Sequence, residues 1–498
     1  MAASATEEQV EVVTLRLVID EAKNKVVFAH AGKDFVDALL SFLTLPLGTI
    51  ARLVANESNI EKCSIGSLSS LYESVANLEA KHFLTETCKE MLLQPRNSME
   101  SYCQNLKLNI DDTEKMKYFI CEKRECSRTE SGGLLSTYRN TRCTCGKLMN
   151  REISPEKGLI RNNNEGFCQE LATFIVFDDL KVMSDNFQGS VILGIGDVNA
   201  TKEVTINVTK SVIVDLLKCS LFSRTPLTDL FLRKKLLHRN SQLRTEFDFN
   251  IGEPEVNVGG QTIKVKAMVT KSNSKILYVL AEEDFVDFLF SFLTFPLGGV
   301  EQMLKGNSCL GSIDNLYKSM VDLDCYRYLK SPEVKDKLVN CLLAHQFKLK
   351  KQILPIDEVL TSDFSCYSYY LSNNYTFYLT KLRGYSGQYG SVYAPLSYLE
   401  LQSSTGDTYD SCGGRGFAKS PSLYMVTDDL VVTLNSPISA ISLLKESRIS
   451  PSDLEERDIS IDQKEALNIL NASLISSSAL TNALSQYIKH IKVENISH

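Results

Sequence analysis

The sequence predicts an α+β fold made by tandem duplication of one module, each copy combining β-hairpins with segregated helices. Three observations carry this expectation. The fifteen residues from Asp34 to Gly48 return from Asp284 to Gly298, twelve of them identical at a constant offset of 250. Ahead of each copy, two β-rich runs flank a polar turn, as in a hairpin. Toward the chain end, helix-start signals and helically spaced apolar residues accumulate. Two such long copies fit a domain duplication rather than a solenoid.

The elements follow in chain order. Residues 1–11 carry Glu7, Glu8 and Glu11 without a cation and are expected to be disordered. The first module spans 12–232. Its hairpin runs from Val13 to Ile19, turns around Asn24 and returns from Lys25 to Phe28; Ile263 to Val269, Asn273, and Lys275 to Tyr278 correspond. The next segment reads as a helix with Asp34 at the N-cap, Asp37 in the first turn, and Phe35, Leu39, Phe42 and Leu43 as its apolar stripe. Pro46 and Gly48 end it. Gly66 with Leu71 and Tyr72 recurs as Gly311 with Leu316 and Tyr317. Asp178-Asp179-Leu180, between β-prone runs, reads as a hairpin turn and recurs as Asp428-Asp429-Leu430. Leu227-Thr228 recurs as Leu480-Thr481.

Residues 233–260, basic at the start and glycine-rich at the end, read as a linker, with a nuclear-localisation signal as the alternative for the basic stretch. The second module spans 261–490, with a tyrosine-rich insertion at 366–410, and residues 491–498 form a tail. Ser436-Pro437 and Ser450-Pro451 fit helix starts, Asp462 with Glu465 fits a capping box, and Leu480, Leu484 and Ile488 recur at helical spacing.

A chain of 498 residues, 43% hydrophobic and 23% charged, has apolar surface for more than one ordinary core. Its net charge of −7 argues against nonspecific nucleic-acid binding by the whole molecule. No secretory or transit segment and no transmembrane run is present, so a cytoplasmic or nuclear location is expected, with the fourteen cysteines as thiols or metal ligands.

Chemistry concentrates in the first module. Cys121 and Cys126, then Cys143 and Cys145, form two close pairs in a knuckle over 118–150, with Gly146 suited to the tight turn. Four thiolates in two pairs can enclose Zn²⁺ tetrahedrally, and four cysteines leave no open position, so the metal would be structural. Four ordinary reduced thiols are the alternative. Residues 115–162 hold eleven Lys/Arg against five Asp/Glu, +6 in an acidic chain, so nucleic acid is a possible partner there. The second module keeps only Cys366 and Cys412 and carries tyrosines among Ser and Gly, which read either as packed strands or as an adaptable binding surface. No nucleotide fingerprint, nucleophile elbow or histidine motif occurs, so neither catalytic nor cofactor-binding residues are assigned.

The opening hairpin, Gly32 to Asp37, Leu45 to Gly48, Cys143 to Asn150 and the Asp-Asp-Leu segments resemble the plant family known as domain of unknown function 674. The resemblance covers nearly the whole chain. It implies a plant protein and no activity, so it carries over no functional residue. The expectation is a non-enzymatic interaction or scaffold protein, zinc-stapled in its first module, with protein partners and no membrane. The alternatives are a nucleic-acid-associated protein and an enzyme with a site between the modules.

Overall fold

The alternation in the opening segments produces strands where expected. In the computed structural model, β1 (Val13–Asp20) and β2 (Lys25–Gly32) pair antiparallel, with Asn24 in the left-handed region at φ +47°. The structure describes residues 11–56, 60, 63–127, 133–155, 166–185, 201–233, 261–360, 364–371, 374–380, 393–399 and 416–489. The expected tail and nearly all of the linker and N-terminal segment lie outside these residues, as do Cys412 and much of the tyrosine-rich stretch.

The first half continues with β3 (Tyr118–Ile120), β4 (Gly133–Ser136), β5 (Thr141–Arg142), β6 (Leu148–Met149), β7 (Arg151–Pro155), β8 (Thr173–Phe177), β9 (Val182–Ser184) and β10 (Thr201–Val208). The second half supplies β11 (Ile263–Thr270), β12 (Lys275–Ala281), β13 (Phe364–Leu371), β14 (Asn374–Thr380), β15 (Tyr393–Tyr398), β16 (Tyr424–Thr427), β17 (Val432–Leu434) and β18 (Leu454–Ile461).

Two similar antiparallel sheets result, ordered β10-β1-β2-β8-β9 and β18-β11-β12-β16-β17. Their central hairpins share a register shift, between Val18 and Ile19 in one and Met268 and Val269 in the other. The double-aspartate segments form the expected turns: Leu180 and Leu430 adopt φ +62° and +64°, and their N–H groups donate to Phe177 O and Thr427 O, both at 2.9 Å. The first aspartate does more than turn. Asp178 accepts the N–H and hydroxyl of Thr228, both at 2.8 Å, and Thr228 Oγ1 accepts Val26 N–H. Asp428, Thr481 and Ile276 repeat the chain of contacts.

Several expectations need correction. The helix Lys33–Thr44 begins directly on β2 with Gly32 as N-cap, so Asp34 lies inside its first turn and salt-bridges Lys107 at 2.6 Å. Asp37 is buried and spends Oδ1 on a distant loop, accepting Phe167 and Cys168 N–H at 2.9 and 2.8 Å. Asp287 does the same for Phe417 and Ala418, at 2.7 Å each. The apolar stripe is buried, but so is every residue from Phe35 to Thr44, because both halves cover this helix. Ser41 and Thr44 satisfy their hydroxyls on Ala38 O and Ser41 O.

At the chain end, Ser436 caps Pro437–Ser447 by accepting Ser439 N–H at 3.0 Å, and Asp462 with Glu465 caps Gln463–Ile475. Ser450-Pro451, in contrast, starts only a three-residue 3₁₀ turn before the edge strand β18, so this region is not all helical.

The halves are interlocked. Leu47 N–H donates to Phe295 O and Leu297 N–H to Leu45 O, both at 2.9 Å, a reciprocal pair at the 250 offset. A Cβ on Gly48 would lie 2.9 Å from Leu293 O, and one on Gly298 3.0 Å from Leu43 O, so both crossings require glycine. Helix Leu68–Asn77 packs on β17, where Val432 N–H donates to Ser74 Oγ; helix Ile313–Asp322 packs on β9, where Val182 N–H donates to Ser319 Oγ. One apolar core therefore runs through both halves.

The third assembly is a closed barrel, β13-β14-β7-β3-β4-β15. Each half contributes an antiparallel trio centred on β3 or β13, and two parallel seams, β7 with β14 and β4 with β15, close the ring. Part of the tyrosine-rich stretch thus forms strands facing the cysteine-bearing segment of the other half. Ile120, Leu135, Ile153, Phe364, Cys366, Leu379 and Leu396 form an apolar cluster within it.

Candidate metal centre

The barrel wall fixes the first cysteine pair. Cys121 directly follows β3, and Glu122 N–H donates to Leu148 O at 2.9 Å, tying the exit to the neighbouring hairpin. A 3₁₀ turn, Arg124–Ser127, then doubles the chain back, with Cys126 N–H on Lys123 O at 3.2 Å. The second pair sits in the turn of the β5–β6 hairpin, where Thr141 faces Met149 and Arg142 faces Leu148. Cys143 N–H donates to Lys147 O and Gly146 N–H to Cys143 O, both at 2.9 Å. Gly146 has φ +85°, a conformation that disfavours any side chain, so the glycine belongs to the turn itself.

Folding brings all four predicted residues together. The sulfurs of Cys121, Cys126, Cys143 and Cys145 all lie within 4.8 Å of one another, and Cys121 Sγ is 3.5 Å from Cys145 Sγ. This is the only such cluster of potential metal ligands among the described residues. Cys121 and Cys143 are buried, Cys126 is half-buried and Cys145 is exposed, so the cluster is a surface knuckle with an apolar base. Phe119, Met149 and Leu399 pack beneath it.

Burial pushes the Cys121 thiol far up and Cys126 up to about 11. Burial also acts upward on Cys145, but the Lys147 N–H and the three neighbouring thiols outweigh it and bring this group down to about 7. A cation among the four would favour the thiolate at each. The donor set and spacing fit a metal ion: sulfurs about 2.3 Å from zinc lie about 3.8 Å apart in a tetrahedron.

Support from the second half was not legible in the sequence. Leu399 N–H donates to Leu135 O at 2.7 Å, and Gln346 joins Leu399 O to the backbone and hydroxyl of Thr137. These partners are more than 200 residues from the cysteines and carry no local pattern. A signal did exist for the buried aspartates: Gly166-Phe167 recurs as Gly416-Phe417 at the same 250 offset as Asp37 and Asp287. A Cβ on either glycine would collide with the aspartate carboxylate.

No helix among the described residues is long and apolar enough to cross a membrane. Comparison with curated proteins and with solved structures gives no match. Residues 9–464 match the family described as protein of unknown function (DUF674), which is most of the chain, and the chain belongs to that family.

Proposed function

We propose that Cys121, Cys126, Cys143 and Cys145 hold a structural Zn²⁺ and that the chain acts as a non-enzymatic interaction or scaffold protein built from two copies of one module. The convergence of four sulfurs within 4.8 Å, from two loops of different construction, carries the zinc reading. Four thiolates complete the usual coordination of zinc and leave no position for a reacting water, which favours a staple over a catalyst. The duplication is supported by the matching sheets, the paired aspartate contacts and the reciprocal Leu45–Leu297 and Leu47–Phe295 bonds. The filled core between the halves favours a scaffold over an enzyme with a site between the modules.

The test is zinc content of the purified full chain by mass spectrometry. About one zinc per chain is expected, falling at least severalfold in Cys143→Ser; content near zero in the natural sequence overturns the staple. For the interaction role, the chain as bait in its source tissue should retain partners that Cys145→Ser loses. Identical partner sets would separate binding from the knuckle.

A second reading has its own observation. Lys123, Arg124, Arg142 and Lys147 are exposed on the two cysteine loops, so the knuckle presents cations outward. Nucleic-acid binding there predicts a mobility shift that fades with salt. Unchanged mobility at low salt removes this reading.

A further inference from the structure

Two cavities open at corresponding places in the two halves, each between the turn of the central hairpin and the double-aspartate turn. The first-half cavity encloses about 750 Å³ and its counterpart about 640 Å³. Lys25 and Lys275, Asp178 and Asp428, and Asp179 and Asp429 line them at the common offset, so the frame is the same.

The charge is not. The first cavity is lined by Lys23, Lys25, Lys181, Arg224 and Lys318. In the second, Asn273 replaces Lys23, Val431 replaces Lys181, and Ser477 stands where Arg224 does, at the longer offset shared by Thr228 and Thr481. Among the described lining residues, five cations less four carboxylates (Asp20, Asp178, Asp179, Asp314) give +1, whereas Lys275 less Asp428, Asp429 and Glu446 gives −2.

The four carboxylates of the first cavity already have partners. Asp178 holds Thr228 and lies 3.7 Å from Lys25, Asp314 accepts Ser308 and Cys309 N–H, and Asp20 and Asp179 lie 3.2 Å from Lys23 and Lys181. Among the described residues no carboxylate forms an ion pair with Arg224 or Lys318; Lys318 Nζ donates only to Asn307 Oδ1, at 3.3 Å. Like charges gathered at one cavity repel one another, and the second half builds the same frame without them. The fold therefore does not require them.

We propose that the first-half cavity binds a small, multiply charged anion of the phosphate class. Its volume lies within the range of ligand pockets, and the Arg224 guanidinium supplies the fork that grips phosphate oxygens while Lys318 adds point charge. The second cavity, acidic within the same molecule, does not bind it.

Inorganic pyrophosphate titrated calorimetrically into the full chain at low salt tests the proposal. The natural sequence should bind saturably. Arg224→Ser with Lys318→Ala, both exposed in the folded chain, should weaken binding about tenfold for each cation removed. Lys264→Ala with Lys445→Ala removes the same charge at exposed residues that line neither cavity and should leave affinity within about twofold. No saturable binding up to about 10 mM overturns the proposal. So does an equal loss in the two variants, or an unchanged affinity in the first.

Discussion

Asp37 and Asp287 occupy the same place in the two halves, yet their surroundings differ by one charge reversal. Lys33 lies 3.7 Å from Asp37, and Glu283 stands at the corresponding position beside Asp287. Burial raises both carboxyls. At Asp37 the Phe167 and Cys168 N–H groups and Lys33 oppose it; at Asp287 the Ala418 and Phe417 N–H groups oppose it while Asp284 and Glu283 add to it, reaching about 7. A carboxyl with a folded pKa above its ordinary 3.8 holds its proton more tightly when folded. Its contribution is fully present below about pH 4 and is lost as pH rises to about 7. Asp287→Asn should therefore flatten the stability profile in that window by on the order of a few kcal/mol, measured by urea unfolding against the natural chain. An unchanged slope would contradict the assignment. The sequence showed these aspartates as helix-start residues, because nothing local announces that Oδ1 will serve a loop 130 residues away.

At the scale of elements, the Asp–Thr contact ties the double-aspartate turn, the terminal helical segment and the central hairpin into one unit. Thr228→Val keeps the shape but removes the hydroxyl that serves both Asp178 and Val26 N–H. A loss of roughly 2 kcal/mol is expected, with faster hydrogen exchange at the Val26 amide. Thr481→Val should act alike at Ile276; full protection of either amide in its variant would count against the contact. Both motifs were visible as repeats, and their turn geometry was readable from Asp residues between β-prone runs. Their mutual bond was not, since it joins positions 50 residues apart. The edge strand β18 was missed for another reason. Glu455, Glu456, Arg457 and Asp458 are what a solvent-facing edge carries, and beside Pro451 they imitate a helix start.

Across the whole molecule, the halves exchange helices, share one core and close a single barrel, so each completes the other. Expressed as two chains divided within 233–260, they should co-purify as a stable pair, and neither should be monodisperse alone. Two separate, well-behaved monomers that ignore each other would contradict this architecture. The match of Asp34 to Gly48 with Asp284 to Gly298 is plain in the sequence, but such a match says nothing of whether the two halves stand apart or interlock. The cysteine knuckle was legible because its cysteines fall in two short pairs; its setting was not, since Leu399 and Gln346 arrive from the other half. X-ray absorption at the zinc edge of the purified full chain reads the metal centre itself. Four sulfur neighbours at about 2.3 Å are expected. A shell dominated by nitrogen or oxygen, or no zinc edge at all, would rule out a zinc ion held by these four cysteines.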